Sequence, residues 1–212
     1  MLKIDLHVHS EYSDGDSIDK ILYYARLRKL NGLAIVDHLT VKGALKAAEA
    51  SEDLIIIPGF EAETNIGHIL VLGVREVFPK ANNFILLYDW ARDNDAVLIL
   101  AHPLVTLPQT LLGINTLSRY RIDGVEAYNS ATPLFRCSIE FSKWIANKLN
   151  LPLTGGSDAH YAENVGACYS LINASSSVDD ILRSIKRGEV APAGSSIKFM
   201  DKIKLITNIL KK

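Results

Sequence analysis

Two histidines one residue apart stand near the start of the chain, in Asp5-Leu6-His7-Val8-His9-Ser10. Residues two apart share a face of a strand. The spacing therefore predicts His7 and His9 side by side, opposite Ile4, Leu6 and Val8. Two imidazoles at a strand end are a ready pair of metal ligands, but the same pattern also describes a half-exposed strand with a polar face. The other chemistry-bearing residues decide between these readings. There are six histidines. His7, His9, His38, His102 and His160 lie at or just beyond the C-terminal end of a predicted strand, and His68 lies near the start of one. Asp14, Glu61, Glu126 and Asp158 occupy comparable strand-end or turn positions. Six scattered core histidines would each need a separate hydrogen-bonding partner; one metal-binding mouth accounts for them together.

Neutral imidazole and carboxylate suit zinc, manganese and iron better than magnesium or calcium, which favour all-oxygen shells. Three protein ligands per ion, with water in the remaining positions, is the catalytic arrangement. A carboxylate such as Glu61 can bridge two ions about 3.5–4 Å apart. Ions so placed turn water into hydroxide near neutral pH, orient a phosphate oxygen and stabilise developing charge. No serine or cysteine nucleophile is then required.

These residues converge only if the surrounding elements bring one end of every strand to a common mouth. Short apolar runs alternate with helical stretches, the signature of βα units and a mostly parallel sheet. Strands are predicted over about 2–9, 33–36, 54–61, 67–74, 97–101 and 124–129, with a short strand and a turn over 151–160 and one more strand over 167–172. Helices are predicted over about 18–30 with Ser17 as N-cap, 41–50, 84–94 with Asn82 or Asn83 as cap, 133–149 and 178–187. Residues 104–120 read as loop. In a barrel of parallel strands the C-terminal ends form the mouth where active sites are built. The tail from Ile197 is amphipathic, with Phe199, Ile203, Ile206 and Leu210 set against lysines, and is expected to dock on the barrel as a final helix over about 197–212 rather than lie on a membrane.

At 212 residues, 48% hydrophobic, the chain is expected to form a single domain over 1–212. With 23 basic and 24 acidic residues, its overall charge directs it to neither nucleic acid nor an anionic membrane. No apolar run reaches the length of a membrane span, and Asp5 and His7 come too early for the core of a signal peptide. Cys137 and Cys168 are isolated and read as buried or free thiols in a reducing cytoplasm.

The ordered motifs resemble those of the PHP (polymerase and histidinol phosphatase) family of metal-dependent phosphoesterases. They are His7-Val8-His9-Ser10 followed by Ser13-Asp14-Gly15, then Val36-Asp37-His38, Pro58-Gly59-Phe60-Glu61, Gly67-His68, Ala101-His102-Pro103 and Gly156-Ser157-Asp158-Ala159-His160. The match spans about residues 3–172. The resemblance implies a distorted, TIM-like (β/α)7 barrel with two or three divalent transition-metal ions (zinc, manganese or iron) at its C-terminal mouth. It implies that His7, His9, Glu61 and Asp158 hold one ion, that Glu61 bridges to a second held by His68 and His102, and that Asp14, His38 and His160 hold a third. Many relatives carry a helical insertion between the His68 strand and the Ala-His-Pro motif. This chain has only a short connection there, so a more open mouth is expected.

Further residues are weighed beside these. Asp5 either orients a ligand or serves the strand structurally, and Asp37 beside His38 is similar. Glu63 is the alternative to Glu61, which is preferred because it follows the Pro-Gly-Phe turn as in the family. Glu126 either touches the site or serves its strand end. Asn129 and Arg136 lie where family members place substrate-contacting side chains, and Arg136 could pair bidentately with phosphate. Lys42 and Tyr161 are weaker candidates. The resemblance implies hydrolysis of a small-molecule phosphate ester or short nucleic acid, with nucleotides or short oligonucleotides as expected substrates and no membrane partner. Histidinol phosphate is the runner-up. A non-catalytic PHP module and an amidohydrolase-type carbon–nitrogen hydrolase are the other classes; the latter usually needs a lysine at a strand end, and none is so placed.

Overall fold

The computed structural model describes residues 1–198, 200–203 and 207. In chain order the elements are β1 (Leu2–Val8), α1 (Ile18–Leu27), β2 (Gly32–Ile35), α2 (Lys42–Ala50), β3 (Ile55–Thr64), β4 (Gly67–Leu72), α3 (Phe84–Asp93), β5 (Val97–Leu100), α4 (Leu107–Arg119), β6 (Gly124–Asn129), α5 (Phe135–Leu149), β7 (Leu153–Gly156), β8 (Cys168–Ile172), α6 (Val178–Lys186) and β9 (Val190–Gly194), with one 3-10 turn at Ala162–Asn164. The strands form a nine-stranded sheet in the order β7-β6-β5-β4-β3-β2-β1-β8-β9. β1, β2 and β3 run parallel, as do β5, β6 and β7. The sheet curls until the end of β7 meets β1. There Val8 bridges to Ala159, the Asp158 N–H donates to the His7 carbonyl at 2.8 Å, and the His9 N–H donates to the Ala159 carbonyl at 3.0 Å. The result is a nearly closed, TIM-like barrel of β1 to β7. β8 and β9 lie outside it, antiparallel additions beside the first half of β1.

Two features depart from a plain alternation of strand and helix, and both serve the mouth. β4 follows β3 without a helix and is antiparallel to both β3 and β5. Its first residues therefore lie at the end where its neighbours finish, so His68, placed by the sequence at the wrong end of a strand, arrives at the same mouth as the others. The second departure is in β1, whose register against β2 shifts between Asp5 and Val8. Ile4 and Leu6 pack in an inner cluster with Ala34, Val36, Leu70, Ile99 and the α6 residues Ile181 and Ile185. Val8 packs instead in an outer cluster with Ile18, Leu22 and Ala47 of α1 and α2. The expected single apolar face of Ile4, Leu6 and Val8 is thus broken, and the shift turns His7 and His9 inward above Leu6. Irregularities of this kind commonly re-aim side chains beside functional sites.

α6 plugs the bottom of the barrel with Ile181, Leu182 and Ile185, while a third cluster packs α3, α4 and α5 against the outer faces of β4 to β6. Residues 104–120 are mostly helical rather than loop. α4 starts at Leu107 with Pro108 in its first turn and buries Thr110, Gly113, Ile114 and Leu117. That face has helical spacing, but threonine and glycine occupy two of its positions, so the apolar signal was absent. A Cβ on Gly113 would lie 2.4 Å from Ile66 Cβ; glycine lets α4 approach the β3–β4 turn. β9 was also missed, and its Pro192 suits an edge strand. Cys137 is exposed and Cys168 buried, both as free thiols. The expected final helix falls mostly outside the described residues, although 200–203 are helical. Among the described residues no helix is long and apolar enough to cross a membrane.

One hydroxyl ties β8 to β7 beside the seam of the barrel. Ser170 of β8 is fully buried, and its Oγ accepts from the Gly155 N–H at 2.9 Å and donates to the Gly155 carbonyl at 3.0 Å. Ser170→Ala leaves both peptide groups facing a methyl group. It is expected to lower stability by about 1–3 kcal/mol, read as a lower midpoint in urea with an unchanged slope; an unchanged midpoint contradicts this account of the seam.

Candidate metal centre

The site forms at the mouth, from the ends of β1, β2 and β5, the later part of β3, the start of β4 and the turn after β7. Glu61, 1% exposed, stands at its centre with its two carboxylate oxygens facing different partners. Oε1 lies 3.0 Å from His68 Nδ1 and 3.0 Å from His102 Nε2. Oε2 lies 3.6 Å from His7 Nε2, 3.3 Å from His9 Nε2 and 3.4 Å from His38 Nδ1. Asp158 Oδ1 approaches the first two imidazoles from the other side, 3.5 Å from His7 Nε2 and 3.4 Å from His9 Nε2, and the two Nε2 atoms are 3.1 Å apart. A third carboxylate, Asp14, has Oδ1 3.4 Å from His160 Nε2, 3.9 Å from His38 Nε2 and 4.0 Å from His9 Nδ1.

These spacings fit metal ions. Four donors about 2.1 Å from a tetrahedral ion stand about 3.4 Å from one another. The Nε2 atoms of His7 and His9 are spaced in that way from each other and from one oxygen each of Glu61 and Asp158, at 3.1–3.6 Å. Among the described residues, four overlapping groups have donor atoms within 4.8 Å of one another: His7-His9-Glu61, His7-His102-Asp158, Glu61-His68-His102 and His9-Asp14-His38-His160. The structure thus brings all nine residues together and adds His9 to the Asp14 group through Nδ1. That nitrogen is buried without a hydrogen-bond partner, as are His38 Nδ1 and His102 Nδ1. Buried polar atoms without partners are rare because desolvation goes uncompensated, and a cation beside His9 Nδ1 would supply the compensation. Two residues of the cluster, His102 (φ 27°) and Asp158 (φ 54°), have left-handed backbones. Such strain in non-glycine residues gathers at functional sites.

Burial opposes charge throughout the cluster, yet mutual attraction prevails at most positions. His7 is held well above the usual imidazole range by Glu126, Asp158 and Glu61, and His9 is raised to about 9 by Asp158 and Glu61. Glu61 is held well below the carboxylate range, chiefly by His7, His102 and His68, and Asp158 chiefly by His7 and His9. His38 is the exception: burial lowers it. Exposure is graded. The side chains of His7, His9 and Glu61 are 0–2% exposed, against 30% for His38 and 26% for His68. The inner group is dry and the outer rim is open to a ligand.

The supporting residues resolve several choices left open by the sequence. Glu126 is buried under the site; its Oε1 lies 3.0 Å from His7 Nδ1 and its Oε2 accepts from the His102 N–H at 3.0 Å. It fixes the ring of His7 with Nε2 toward the cluster, the usual role of a carboxylate behind a ligating histidine. Asp5 is pushed up to about 6 by burial and accepts from the backbone N–H groups of His7, Ser157 and Gly166. It braces backbone rather than imidazole. Asp37 accepts from the Ser10 N–H and the Ser10 and Ser13 hydroxyls, holding the turn that carries Asp14. Gly156 permits close packing: a Cβ there would lie 2.4 Å from His7 Cβ. Glu63 is exposed, unlike Glu61, and Lys42 and Arg136 are exposed at the starts of α2 and α5. Tyr161 is half-buried after β7. Asn129, expected at the substrate, is 1% exposed with its amide committed to Glu126, Asp158 and Thr132. The sequence had singled out Glu126 by its strand-end position but not its bond to His7, which requires β6 and β1 to face one another across the barrel.

Comparison with known proteins follows the same lines. The family model PHP_C, described as PHP-associated, matches residues 140–190. No curated protein matches the chain by sequence. Among solved structures, a two-domain protein from Bacteroides vulgatus containing a "predicted PHP-like metal-dependent phosphoesterase" superposes with a TM-score of 0.72 at 16% identity, over 92% of this chain and 65% of that one. This chain thus spans just under two thirds of that protein. PsfC from Pseudomonas syringae superposes with a TM-score of 0.71 at 21% identity, over 99% of this chain and 97% of that one. An amidohydrolase from Chromobacterium violaceum, with bound sulfate and no metal, gives 0.63 at 17% identity, over 89% and 97%. At these identities the likeness is one of fold, that of a PHP-like barrel. The matched model covers about a quarter of this chain.

The charges of the cluster set a pH dependence for metal-stripped protein. An imidazole raised in the fold from 6.5 to about 9, as His9 is, gives stability that is full below about pH 6.5 and is lost as pH rises through 9. The melting temperature in excess chelator is therefore expected to fall between pH 6.5 and 9.5. Differential scanning calorimetry checks this, and a flat profile across that window contradicts the ion-paired cluster.

Proposed function

We propose that this chain is a metal-dependent phosphoesterase of the PHP type, forming one PHP domain over residues 1–212. In this reading His7, His9, Glu61 and Asp158 hold one ion, Glu61, His68 and His102 a second, and Asp14, His38 and His160 a third, drawn from zinc, manganese and iron. The observation that carries the proposal is the division of the Glu61 carboxylate, with one oxygen between His68 and His102 and the other among His7, His9 and His38. A buried carboxylate shared in this way suits a bridging ligand better than a structural one. When bound, such ions acidify water to a nucleophile near neutral pH and neutralise phosphoryl and leaving oxygens.

The chain's own residues do the rest. Glu126 fixes the ring of His7, and the dry inner wall keeps bulk water from His7 and His9. His160, with Nδ1 3.1 Å from the Asp158 carbonyl and its ring partly open to the rim, is placed to assist proton transfer if it is not ligating, and His102 is the alternative. Arg136, exposed in the first turn of α5, is the candidate partner for a second phosphate oxygen. The short connection between β4 and β5 lies at the far end of the barrel, because β4 runs away from the mouth, so the more open mouth expected from its length does not follow from it. The resemblance of the motifs to short PHP proteins is the ground for nucleotides or short oligonucleotides as substrates, with histidinol phosphate next. Two free thiols suit a reducing compartment, and on that ground the cytoplasm is assigned. Carbon–nitrogen hydrolysis is the second reading, favoured by the structural likeness to an amidohydrolase.

Purified protein, with its metal content measured, is expected to hydrolyse phosphate mono- or diesters when supplied with manganese, zinc or iron. His9→Ala and Asp158→Ala are expected to abolish turnover while circular dichroism shows the fold retained. Near-normal rates in both variants contradict the site assignment. Absence of turnover on every phosphate ester with all three metals contradicts the activity, and turnover of a cyclic amide in its place supports the second reading.

A further inference from the structure

We infer that Asn129 is a positioning residue that aims the Asp158 carboxylate at the inner metal group and ties it to the carboxylate behind His7. The inference rests on the metal-binding reading above. Asn129 ends β6, and its Nδ2 donates to Glu126 Oε2 at 2.9 Å and to Asp158 Oδ2 at 3.1 Å. Its Oδ1 accepts from the Ala131 N–H, the Thr132 N–H and the Thr132 hydroxyl, each at 3.1 Å. The amide has only one workable orientation: turned over, it would set its oxygen against two carboxylates and its amino group against three donors.

The division of Asp158 gives this contact its consequence. Its Oδ1 faces the imidazoles of His7, His9 and His160 at 3.4–3.6 Å, while Oδ2 is held by Asn129. A carboxylate with one oxygen fixed from behind presents the other in a set direction, which matters here because Asp158 sits on a strained, left-handed backbone. The same amino group holds Glu126, whose other oxygen holds His7. One side chain on β6 thus joins a donor from β1 to a donor from the turn after β7. The loop carrying Asn129 is itself anchored. The Ser130 hydroxyl donates to the Ser157 carbonyl at 2.6 Å, the Ser130 carbonyl accepts from the Ile197 N–H at 3.1 Å, and the Thr132 carbonyl accepts from the Lys202 ammonium.

Asn129→Ser separates this role from a purely local one. A serine hydroxyl can still accept from the following backbone N–H groups and keep the turn, but it is too short to reach Asp158. Partners behind metal ligands typically contribute about 10–100-fold in affinity. The variant is therefore expected to bind its tightest cobalt(II) about 10–100-fold more weakly than the parent, with an altered visible absorption band. Its melting temperature in chelator is expected to fall somewhat, because two buried carboxylates lose a donor, and the rise on adding cobalt(II) is expected to be smaller than in the parent. Affinity within threefold of the parent, or equal losses of melting temperature with and without metal, overturns the inference. If the serine variant does not fold, Thr132→Val removes one anchor of Oδ1 while leaving the amino group; it is expected to weaken cobalt(II) binding and shift the band, and an unchanged titration overturns the inference. A parent protein that binds no cobalt(II) overturns the metal reading and this one with it, whereas a parent that binds and a variant that binds equally overturns only this one.

Discussion

A carboxylate sealed from water among imidazoles is the constraint around which the molecule is arranged. Glu61 has almost no solvent contact, and an isolated charge in such a place is strongly disfavoured. Its compensation comes from residues on four other segments: His7 and His9 from the end of β1, His38 from the end of β2, His68 from the start of β4 and His102 after β5. His68 reaches Glu61 through the β3–β4 hairpin and His38 through the neighbouring strand, whereas His7, His9 and His102 lie far from it in an extended chain. The complete set is assembled only when the sheet curls into the barrel, so the site depends on the fold being complete. Asp158 extends the dependence across the seam, since its backbone N–H bonds to the His7 carbonyl where β7 returns to β1.

The fold supplies this convergence by breaking its own regularity in chosen places. A barrel of uniformly parallel strands would carry the start of β4 to the bottom; the antiparallel β3–β4 pair carries His68 to the mouth instead. A regular β1 would keep one apolar face; the shifted register puts Leu6 into the barrel core and His7 above it. His102 and Asp158 take backbone conformations that non-glycine residues avoid. The left-handed backbones of His102 and Asp158 carry an energetic cost, and each departure moves a donor atom toward the cluster.

Much of this was legible in the sequence, for identifiable reasons. Ligand types are chemically distinctive, and hydrophobic runs ending on histidine or carboxylate mark strand ends with little ambiguity. The alternation at residues 2–9 predicted β1, and the run at 97–101 predicted β5 with His102 just beyond. α4 was not legible because its buried face uses Thr110 and Gly113, which carry no apolar signal. β9 was hidden by its proline, which sequence rules assign to turns as readily as to edge strands. The bulge in β1 has no local signature at all; it follows from how β1 must meet β2 on one side and the turn after β7 on the other.

The supporting contacts were the least legible part of the site, and the reason is physical. A metal ligand announces itself by residue type, because few side chains can donate to a transition ion. A partner behind a ligand needs only a hydrogen bond in the right place, and many residue types can make one. Glu126 and Asn129 lie three residues apart on β6, yet Glu126 acts on a ring from β1 and Asn129 on a carboxylate after β7. Their relation to the site is set by the curvature of the sheet across β6, β7 and β1, where the β6–β7 register itself shifts between Glu126 and Tyr128. That shift occurs between the two residues, so an alternation rule applied along β6 would set them on opposite faces. In the structure they meet on one amide, because the irregular step returns Asn129 to the side of the strand that Glu126 already occupies.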